Sequence, residues 1–207
     1  SAIGAVSPQG GDISEPVTQA TLRIVKVFWC LSSALAYARH FPAIDWLQSY
    51  SLYSDRLRKY YDAKVAPDWS KLVGTTMEIL QEEANLNEIV RLVGIDALGF
   101  KDRITMECAR SIREDFLHQN SFHEVDTYTS LEKQYDMLKL IITWYQKALD
   151  LSGKHIALDR IIDMPVREQI GRAKYIPESE RDEKFAQLFK DLDQAFADLT
   201  EEGGDNA

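Results

Sequence analysis

Apolar side chains recur every three or four residues through most of the chain after residue 54. This spacing places them on one face of an α-helix, with polar residues on the opposite face. Asp68 and Ser130 precede two of these runs as typical N-caps, whereas Gly94 and Gly153 follow two of them as typical helix stops. The apolar positions of the four runs are Leu72, Ile79, Leu80, Leu86, Val90 and Val93; Ile104, Cys108, Ile112 and Phe116; Leu131, Tyr135, Leu138, Ile142, Tyr145 and Leu149; and Phe185, Leu188, Phe189, Leu192, Phe196 and Leu199. The pattern predicts a helical bundle that ends in a polar, frayed tail over 201–207.

The first residues show a different pattern, in which short apolar runs alternate with loops. The apolar run at 3–6 predicts a strand that leads into a loop. Pro16 suits the first turn of a following helix, for which Ser14 is the predicted N-cap.

A longer apolar run at 22–31 predicts the end of that helix and then a buried strand near 26–30, and residues 33–40 predict a short second helix. This order is typical of part of an α/β domain, with too few strands to close a sheet. The predicted fold is therefore mostly α, with a remnant of an α/β domain over 1–54 and a helical domain over 55–207.

The composition is that of an ordinary globular protein, with a net charge of −9 from 24 basic and 33 acidic residues. This charge opposes nucleic-acid binding. Cys30 and Cys108 each lie in an apolar pattern, which favours reduced core thiols. No apolar run approaches the roughly 20 residues needed to span a bilayer, so we expect any membrane role to come through partners. The histidines, His40, His118, His123 and His155, do not form a convincing metal set, and we expect no metal site.

Three loops carry the candidate chemistry. Residues 7–18 combine two glycines, two prolines and two carboxylates, which by composition alone favours a solvated turn. Phe41-Pro42-Ala43 is either a helix end with a core aromatic or a ring available to stack on a base. Residues 119–126 either cap two helices or offer a second such ring at Phe122.

These motifs resemble those of the catalytic A subunit of rotary V/A-type ATPases. The resemblance covers nearly the whole chain and is best over residues 4–53 and 90–150. It implies that residues 1–54 end a nucleotide-binding domain. It also implies an adenine pocket in which Phe41, Pro42, Ser121 and Phe122 contact the base. Ser121 departs from the alanine that is commoner in the family, as Asp45 departs from its usual asparagine.

The resemblance also implies segments that face the rotor. The loop at Gly10–Pro16 is similar to a family motif and departs from it at Gln9 and Ile13, where proline and phenylalanine are usual. By this resemblance, Asp12, Ser14 and Glu15 are candidates for polar contact with the rotor. The helix–loop–helix corner at 94–103 matches an acidic lever of the related F-type β subunit, which makes Asp96 and Asp102 further candidates.

The sequence contains no Gly-x-x-x-x-Gly-Lys-[Ser/Thr] motif for holding phosphates. In the family that motif, the catalytic glutamate and the magnesium ligand lie upstream, so we expect no catalytic residue here and no activity of this chain alone. The resemblance implies a parent protein that binds ATP or ADP with Mg²⁺ and couples hydrolysis or synthesis to proton or sodium transport. It further implies B subunits in an alternating A/B hexamer, a central rotor stalk as partner, and a cytoplasmic location at the cell membrane.

The alternative is an unrelated, non-catalytic helical protein-interaction module. The two hypotheses differ in geometry, because Phe41 and Phe122 can share one base only if the helical region folds back on residues 1–54.

Overall fold

The computed structural model of the chain describes residues 2–154 and 156–204, so His155 lies outside the described residues. Helices dominate, which confirms the mostly α prediction. The helices are α1 (Pro16–Leu22), α2 (Ser33–Tyr37), α3 (Ser54–Lys64), α4 (Trp69–Val93), α5 (Phe100–Ser111), α6 (Leu131–Leu149), α7 (Leu158–Ile162), α8 (Pro165–Arg172) and α9 (Arg181–Gly204). Among the described residues, none of the helices has the length and apolar character required to cross a bilayer.

Two antiparallel strands, β1 (Val27–Leu31) and β2 (Ile44–Ser51), form the sheet of the first region. β1 confirms the strand predicted near 26–30, and α2 confirms the short helix predicted within 33–40. β2 was not predicted, because polar side chains interrupt its alternation. The Asp45 carboxylate accepts hydrogen bonds from the backbone N–H groups of Leu47 at 2.9 Å and Gln48 at 3.0 Å, where the strand pairing is irregular.

Two predictions for the N-terminal loop are wrong. Residues 3–6 are exposed and form no strand, and the sheet that the structure describes consists of β1 and β2. Glu15, and not Ser14, occupies the N-cap position of α1, although Pro16 does begin the helix. The backbone N–H of Ser14 and its hydroxyl both donate to Asp12 Oδ1, at 2.9 and 2.6 Å, so the serine closes a turn instead.

The core lies in the helical region, where α4, α5, α6, α8 and α9 bring their apolar faces together. Its most deeply buried large side chains include Leu80, Ile104, Ile112, Leu138, Leu140, Trp144, Ile161 and Leu192. Cys108 is buried among them with a free thiol, and Cys30 is also buried and free, as predicted. Most positions of the predicted stripes therefore face the core, but Val93, at the end of α4, is 64% exposed.

Most of the predicted helix ends are confirmed. The Ser130 hydroxyl accepts a hydrogen bond from the Lys133 N–H at 3.0 Å, as an N-cap does. Gly94 is the C-cap of α4, and its φ of 87° favours glycine. Helix α6 ends at Leu149 with Asp150 as its C-cap, so Gly153, with φ of 82°, lies beyond that cap in the following turn. Asp68 occupies the N-cap position of α4, but its side chain leaves the helix end and accepts hydrogen bonds from Tyr135 and Lys139.

Two long helices differ from prediction at their C-terminal ends. The apolar run from Ile104 to Phe116 predicts one continuous helix, but the chain changes from α5 into a π-helix at Ile112–Leu117. A wider turn of this kind re-aims the residues that follow it. Helix α9 continues through Gly204, so a frayed tail is wrong over 201–204, because extending an existing helix costs little. Residues 205–207 lie outside the described residues.

Candidate functional site

The Phe41-Pro42 turn begins where α2 ends. Arg39 has φ of 58°, an uncommon conformation for a residue other than glycine. The backbone N–H of His40 donates to the Leu35 carbonyl at 2.9 Å and closes the helix end. A cis peptide bond joins Phe41 to Pro42, and Phe41 is 50% exposed. The turn therefore presents an aromatic ring at the surface next to the end of the sheet.

Two hydrogen bonds join this turn to the end of the π-helix, 77 residues later in the sequence. The backbone N–H of Gln119 donates to the Phe41 carbonyl oxygen at 2.7 Å. The backbone N–H of Phe41 donates to His118 Nδ1 at 3.2 Å. Both backbone polar groups of Phe41 are thus held by two consecutive residues of the helical region.

The loop that follows, residues 119–127, is held mainly by its own hydrogen bonds. The buried Asp126 carboxylate accepts from the Asn120 N–H at 2.7 Å, and the Asp126 carbonyl accepts from Gln119 Nε2 at 2.7 Å. The Asn120 side chain accepts from the Phe122 N–H at 3.0 Å. The Phe122 ring is 97% exposed. An apolar ring displayed on an ordered loop is a candidate ligand contact.

Ser121 stands on the same loop and is exposed. Its backbone carbonyl accepts a hydrogen bond from the Thr127 hydroxyl at 3.0 Å. Pro42 is exposed as well. The structure therefore brings the segments that carry all four predicted pocket residues side by side and leaves their side chains accessible.

Two buried lysines hold the end of the π-helix, which directly precedes this loop. Lys174 Nζ donates to the carbonyl oxygens of Glu114 at 3.0 Å and His118 at 3.1 Å. The fully buried Lys133 donates through Nζ to the Lys174 carbonyl at 2.8 Å, and burial lowers the pKa of Lys133. Lys133 lies within the predicted helical run at 131–149, where a charge among apolar positions is a signal that could have identified it. Lys174 lies on a 3-10 turn outside the predicted runs, so the sequence pattern gave no such signal for it.

His40 and His118 lie at the junction between the Phe41-Pro42 turn and the end of the π-helix. His40 Nε2 lies 2.9 Å from the Arg113 carbonyl oxygen, so this nitrogen carries the donated proton. The His40 ring centroid lies 5.2 Å from that of His118 and 5.6 Å from that of Trp46. The pKa of His118 is lowered by burial and by the nearby charges of Lys174 and His40.

Comparison with known proteins identifies the family. The model of the ATP synthase alpha/beta family nucleotide-binding domain matches residues 1–51, and that of the C-terminal domain of V and A type ATP synthase matches residues 58–158. The V-type ATP synthase alpha chain of Acetivibrio thermocellus is 60% identical over 193 residues, which are 93% of this chain and 33% of that one. The chain belongs to the V-type ATP synthase alpha chain family.

Other alpha chains agree. That of Thermoanaerobacter pseudethanolicus is 60% identical over 205 residues, or 99% of this chain and 35% of that one. The alpha chain of Clostridium botulinum strain Langeland is 58% identical over 202 residues, which are 98% of this chain and 34% of that one. The chain thus spans about a third of the length of the curated relatives that it matches. These matches favour the ATP synthase family over the unrelated helical module.

A solved structure shares the fold. The structure of the ATP synthase subunit NeqB from Nanoarcheaum equitans gives a TM-score of 0.56 over 66% of this chain and 32% of that one. The sequence identity is 22%, so this likeness bears on the fold alone.

The alpha-chain segments predicted to face the rotor are ordered turns. Asp12 accepts two hydrogen bonds from Ser14, which lower the pKa of its carboxyl. The Glu15 carboxylate accepts from the Thr18 hydroxyl at 2.9 Å. Asp96 lies on an exposed 3-10 turn, and Asp102 lies in the first turn of α5. Asp12, Ser14 and Asp96 are exposed, whereas Glu15 and Asp102 are half-buried.

Sequence reasoning missed a buried charged pair near this junction. Both carboxylate oxygens of Glu83, on α4, accept from Arg113 Nε at 3.1 Å. The pair lies beside a groove of about 580 Å³ between β2, α4 and α5. A second groove of about 510 Å³ lies between α8 and α9. Neither groove is lined by Phe41 or Phe122. Among the residues that the structure describes, no three His, Cys, Asp or Glu side chains are grouped to hold a metal.

Proposed function

We propose that this chain is the C-terminal part of a catalytic subunit that hydrolyses or synthesises ATP and couples the reaction to proton or sodium transport. The proposal is supported by the alpha-chain relatives and by the match of residues 1–51 to a nucleotide-binding family. Phosphoryl transfer depends on charge positioned around the γ-phosphate and its Mg²⁺. The chain has no phosphate-binding glycine-rich motif, so its own contribution is to the base.

The adenine pocket is the proposed role of Phe41, Pro42, Ser121 and Phe122. The single observation that supports it most is the 2.7 Å hydrogen bond from Gln119 to the Phe41 carbonyl, because it joins the two ring-bearing segments. Two exposed rings on ordered backbone can stack on the faces of a planar base. Pro42 adds apolar surface, and the Ser121 hydroxyl can donate to or accept from the base edge.

The assembly follows from the same proposal. The chain would stand in an alternating hexamer with B subunits, on the cytoplasmic side of the cell membrane, around a central rotor stalk. Asp12, Ser14 and Glu15 on one loop, and Asp96 and Asp102 near the corner between α4 and α5, would contact the rotor through polar groups. The chain alone would have no ATPase activity, because the phosphate and Mg²⁺ ligands would lie in other parts of the subunit.

The test compares nucleotide and pyrophosphate binding by the full-length subunit that carries this sequence. Phe41→Ala and Phe122→Ala each remove one ring. Tyr37→Ala and Tyr128→Ala are matched controls, because both tyrosines are exposed aromatics near these segments. We expect each Phe variant to weaken MgADP binding by about 1–3 kcal/mol, the range of one base–aromatic stack. Mg-pyrophosphate binding should not change, since that ligand has no base.

An equal loss of ADP and pyrophosphate binding would indicate damage to the whole site. Unchanged ADP binding in both Phe variants would reject the adenine role.

A further inference from the structure

One of the two hydrogen bonds that hold the Phe41 backbone involves a histidine ring nitrogen. His118 Nδ1 accepts the Phe41 N–H at 3.2 Å, and an imidazole nitrogen can accept only when it carries no proton. In protonated His118, Nδ1 would carry a hydrogen that faces the backbone N–H of Phe41, so this hydrogen bond could not form. The other bond to Phe41, from the Gln119 N–H, involves no titratable group.

We propose that His118 is a positioning residue for the nucleotide: its neutral form holds Phe41 in the base-binding conformation, and its protonation releases the turn. The inference rests on the proposed adenine role of Phe41. It adds a proton-dependent element to the binding site, located at the junction between the two family regions.

The groups around His118 favour the neutral form. On the π-helix side, Lys174 places a fixed positive charge on the His118 carbonyl. On the turn side, the His40 ring lies 5.2 Å away, and its Nδ1 is buried without a hydrogen-bond partner. Asp126 and Glu114 act in the opposite direction and raise the pKa, but the net effect of burial, Lys174 and His40 is to lower it.

The hydrogen bond between Phe41 and His118 should be lost at acid pH. Because the folded state lowers the pKa of His118 below its ordinary value of about 6.5, the free histidine binds protons more readily than the folded one. The contribution of the His118–Phe41 bond is therefore fully present above that value. It is lost as the pH falls through the lowered pKa. We expect adenine affinity to fall on the acid side and phosphate affinity to be unaffected by this histidine.

The experiment measures MgADP and Mg-pyrophosphate affinity of the full-length subunit between about pH 8 and pH 4.5, a range that extends well below the ordinary histidine pKa because that of His118 is lowered. His118→Asn keeps an acceptor, since Asn Oδ1 is attached to Cγ as His Nδ1 is, but it does not titrate. His118→Leu removes the acceptor. The wild-type curve is divided by the His118→Asn curve for the same ligand, so that protonation of the ligand cancels.

We expect the wild type to lose about 2- to 10-fold in ADP affinity relative to His118→Asn at the acid end, the effect of one hydrogen bond. His118→Leu should show a similar loss of about 2- to 10-fold at every pH, with pyrophosphate affinity unchanged. If His118→Leu fails to fold, the comparison of wild type with His118→Asn decides alone.

Parallel pH curves for wild type and His118→Asn would overturn the inference. Normal ADP affinity of folded His118→Leu at neutral pH would also overturn it. The Phe41→Ala variant distinguishes failure of the adenine role of Phe41 from failure of the positioning role of His118. If it loses ADP affinity while the histidine variants behave like the wild type, the adenine role stands and the role of His118 fails. If Phe41→Ala binds ADP normally, the adenine role of Phe41 has failed first, and the role of His118 fails with it.

Discussion

Glu83 and Arg113 form the most enclosed charged pair near the junction. Glu83 is buried on the apolar face of α4. Arg113 is half-buried and lies in the π-helix, where its own carbonyl oxygen accepts the hydrogen bond from His40 Nε2. Removing one partner of a buried pair leaves the other charge without compensation, which costs about 3–5 kcal/mol when both are fully enclosed. The partial exposure of Arg113 reduces this cost.

We therefore expect Glu83→Gln to lower the free energy of unfolding by about 2 kcal/mol in urea denaturation. Glu88→Gln is the matched control on the same helix. Glu88 pairs with Arg91 at 3.9 Å with both side chains exposed, and exposed pairs contribute about 0–1 kcal/mol. Equal effects of the two substitutions would contradict the importance of the buried pair.

Asp68 gives a residue-level prediction on pH. Hydrogen bonds from Lys139 and Tyr135 lower the pKa of its carboxyl. The unfolded chain therefore binds its proton at higher pH than the folded chain. The stabilisation is present above the ordinary value of about 3.9 and is lost as the pH falls through the lowered pKa.

Asp68→Asn should destabilise the chain by about 1 kcal/mol at neutral pH, because the pair with Lys139 is partly exposed. The difference from wild type should shrink as urea denaturation is repeated at pH values down to about 3. A constant difference at all pH values would show that the charge is not responsible. Asp55→Asn, at an exposed pair with Arg58, is the control and should change little.

Single residues were predictable where the chemistry is local. Ser130 caps its helix because the apolar run begins directly after it. Ser14 shows the limit: its sequence neighbours fit a cap equally well, but Asp12 captures its N–H and hydroxyl. The link between Phe41 and His118 spans 77 residues, and the periodicity of a sequence does not carry information on such contacts.

At the scale of elements, the long amphipathic helices were predictable and the irregular ones were not. The stripes at 72–93, 131–149 and 185–199 correspond to α4, α6 and α9. The short helices α7 and α8 were missed, because 5 and 8 residues give too little periodicity to recognise. The π-helix was missed because its apolar positions, Ile112 and Phe116, keep the four-residue spacing of an α-helix. At its start the Ser111 hydroxyl donates to the Asp115 carboxylate.

Two helical glycines test the packing of α4 and α8. A Cβ added at Gly74 in α4 would meet nothing within 4 Å, whereas one added at Gly171 in α8 would lie 3.0 Å from Asp115 Oδ1. Alanine is favoured over glycine in a helix interior by about 1 kcal/mol. We expect Gly74→Ala to raise the free energy of unfolding by about 0.5–1 kcal/mol.

Gly171→Ala should lower the free energy of unfolding by about 1 kcal/mol instead, because Asp115 is held by Ser111 and cannot move aside freely. Thermal or urea unfolding of the two variants side by side measures the contrast. A gain of the same size at both positions would mean that α8 does not press on the π-helix.

At the scale of the whole molecule, the loop motifs in the sequence predicted the rotary ATPase family, and the family assignment confirms that prediction. The functional role of individual loop residues is still a prediction. What the sequence could not supply is the way that residues 118–119 bind both backbone groups of Phe41, because that contact is created only when the helical region packs on the sheet.

The proposed rotor contacts make a prediction for the assembled ATPase. Glu15→Gln and Asp96→Asn each remove one negative charge. Asp96 is exposed, and although Glu15 is half-buried, glutamine keeps an oxygen that can accept from the Thr18 hydroxyl. In the full complex we expect weaker attachment of the rotor stalk and slower ATP-driven ion transport, with unchanged ADP affinity of the subunit. Asp159→Asn, an exposed carboxylate on α7, is the control. Loss of ADP affinity in the two variants, or normal transport, would contradict the assignment.

The most direct test of the adenine role is photolabelling of the full-length subunit with an azido-adenine nucleotide, followed by mass spectrometry of the labelled peptides. The account predicts labels on the peptides that contain Phe41-Pro42 and residues 119–126, both suppressed by excess MgADP. Labels confined to other peptides, with neither of these segments modified, would contradict it.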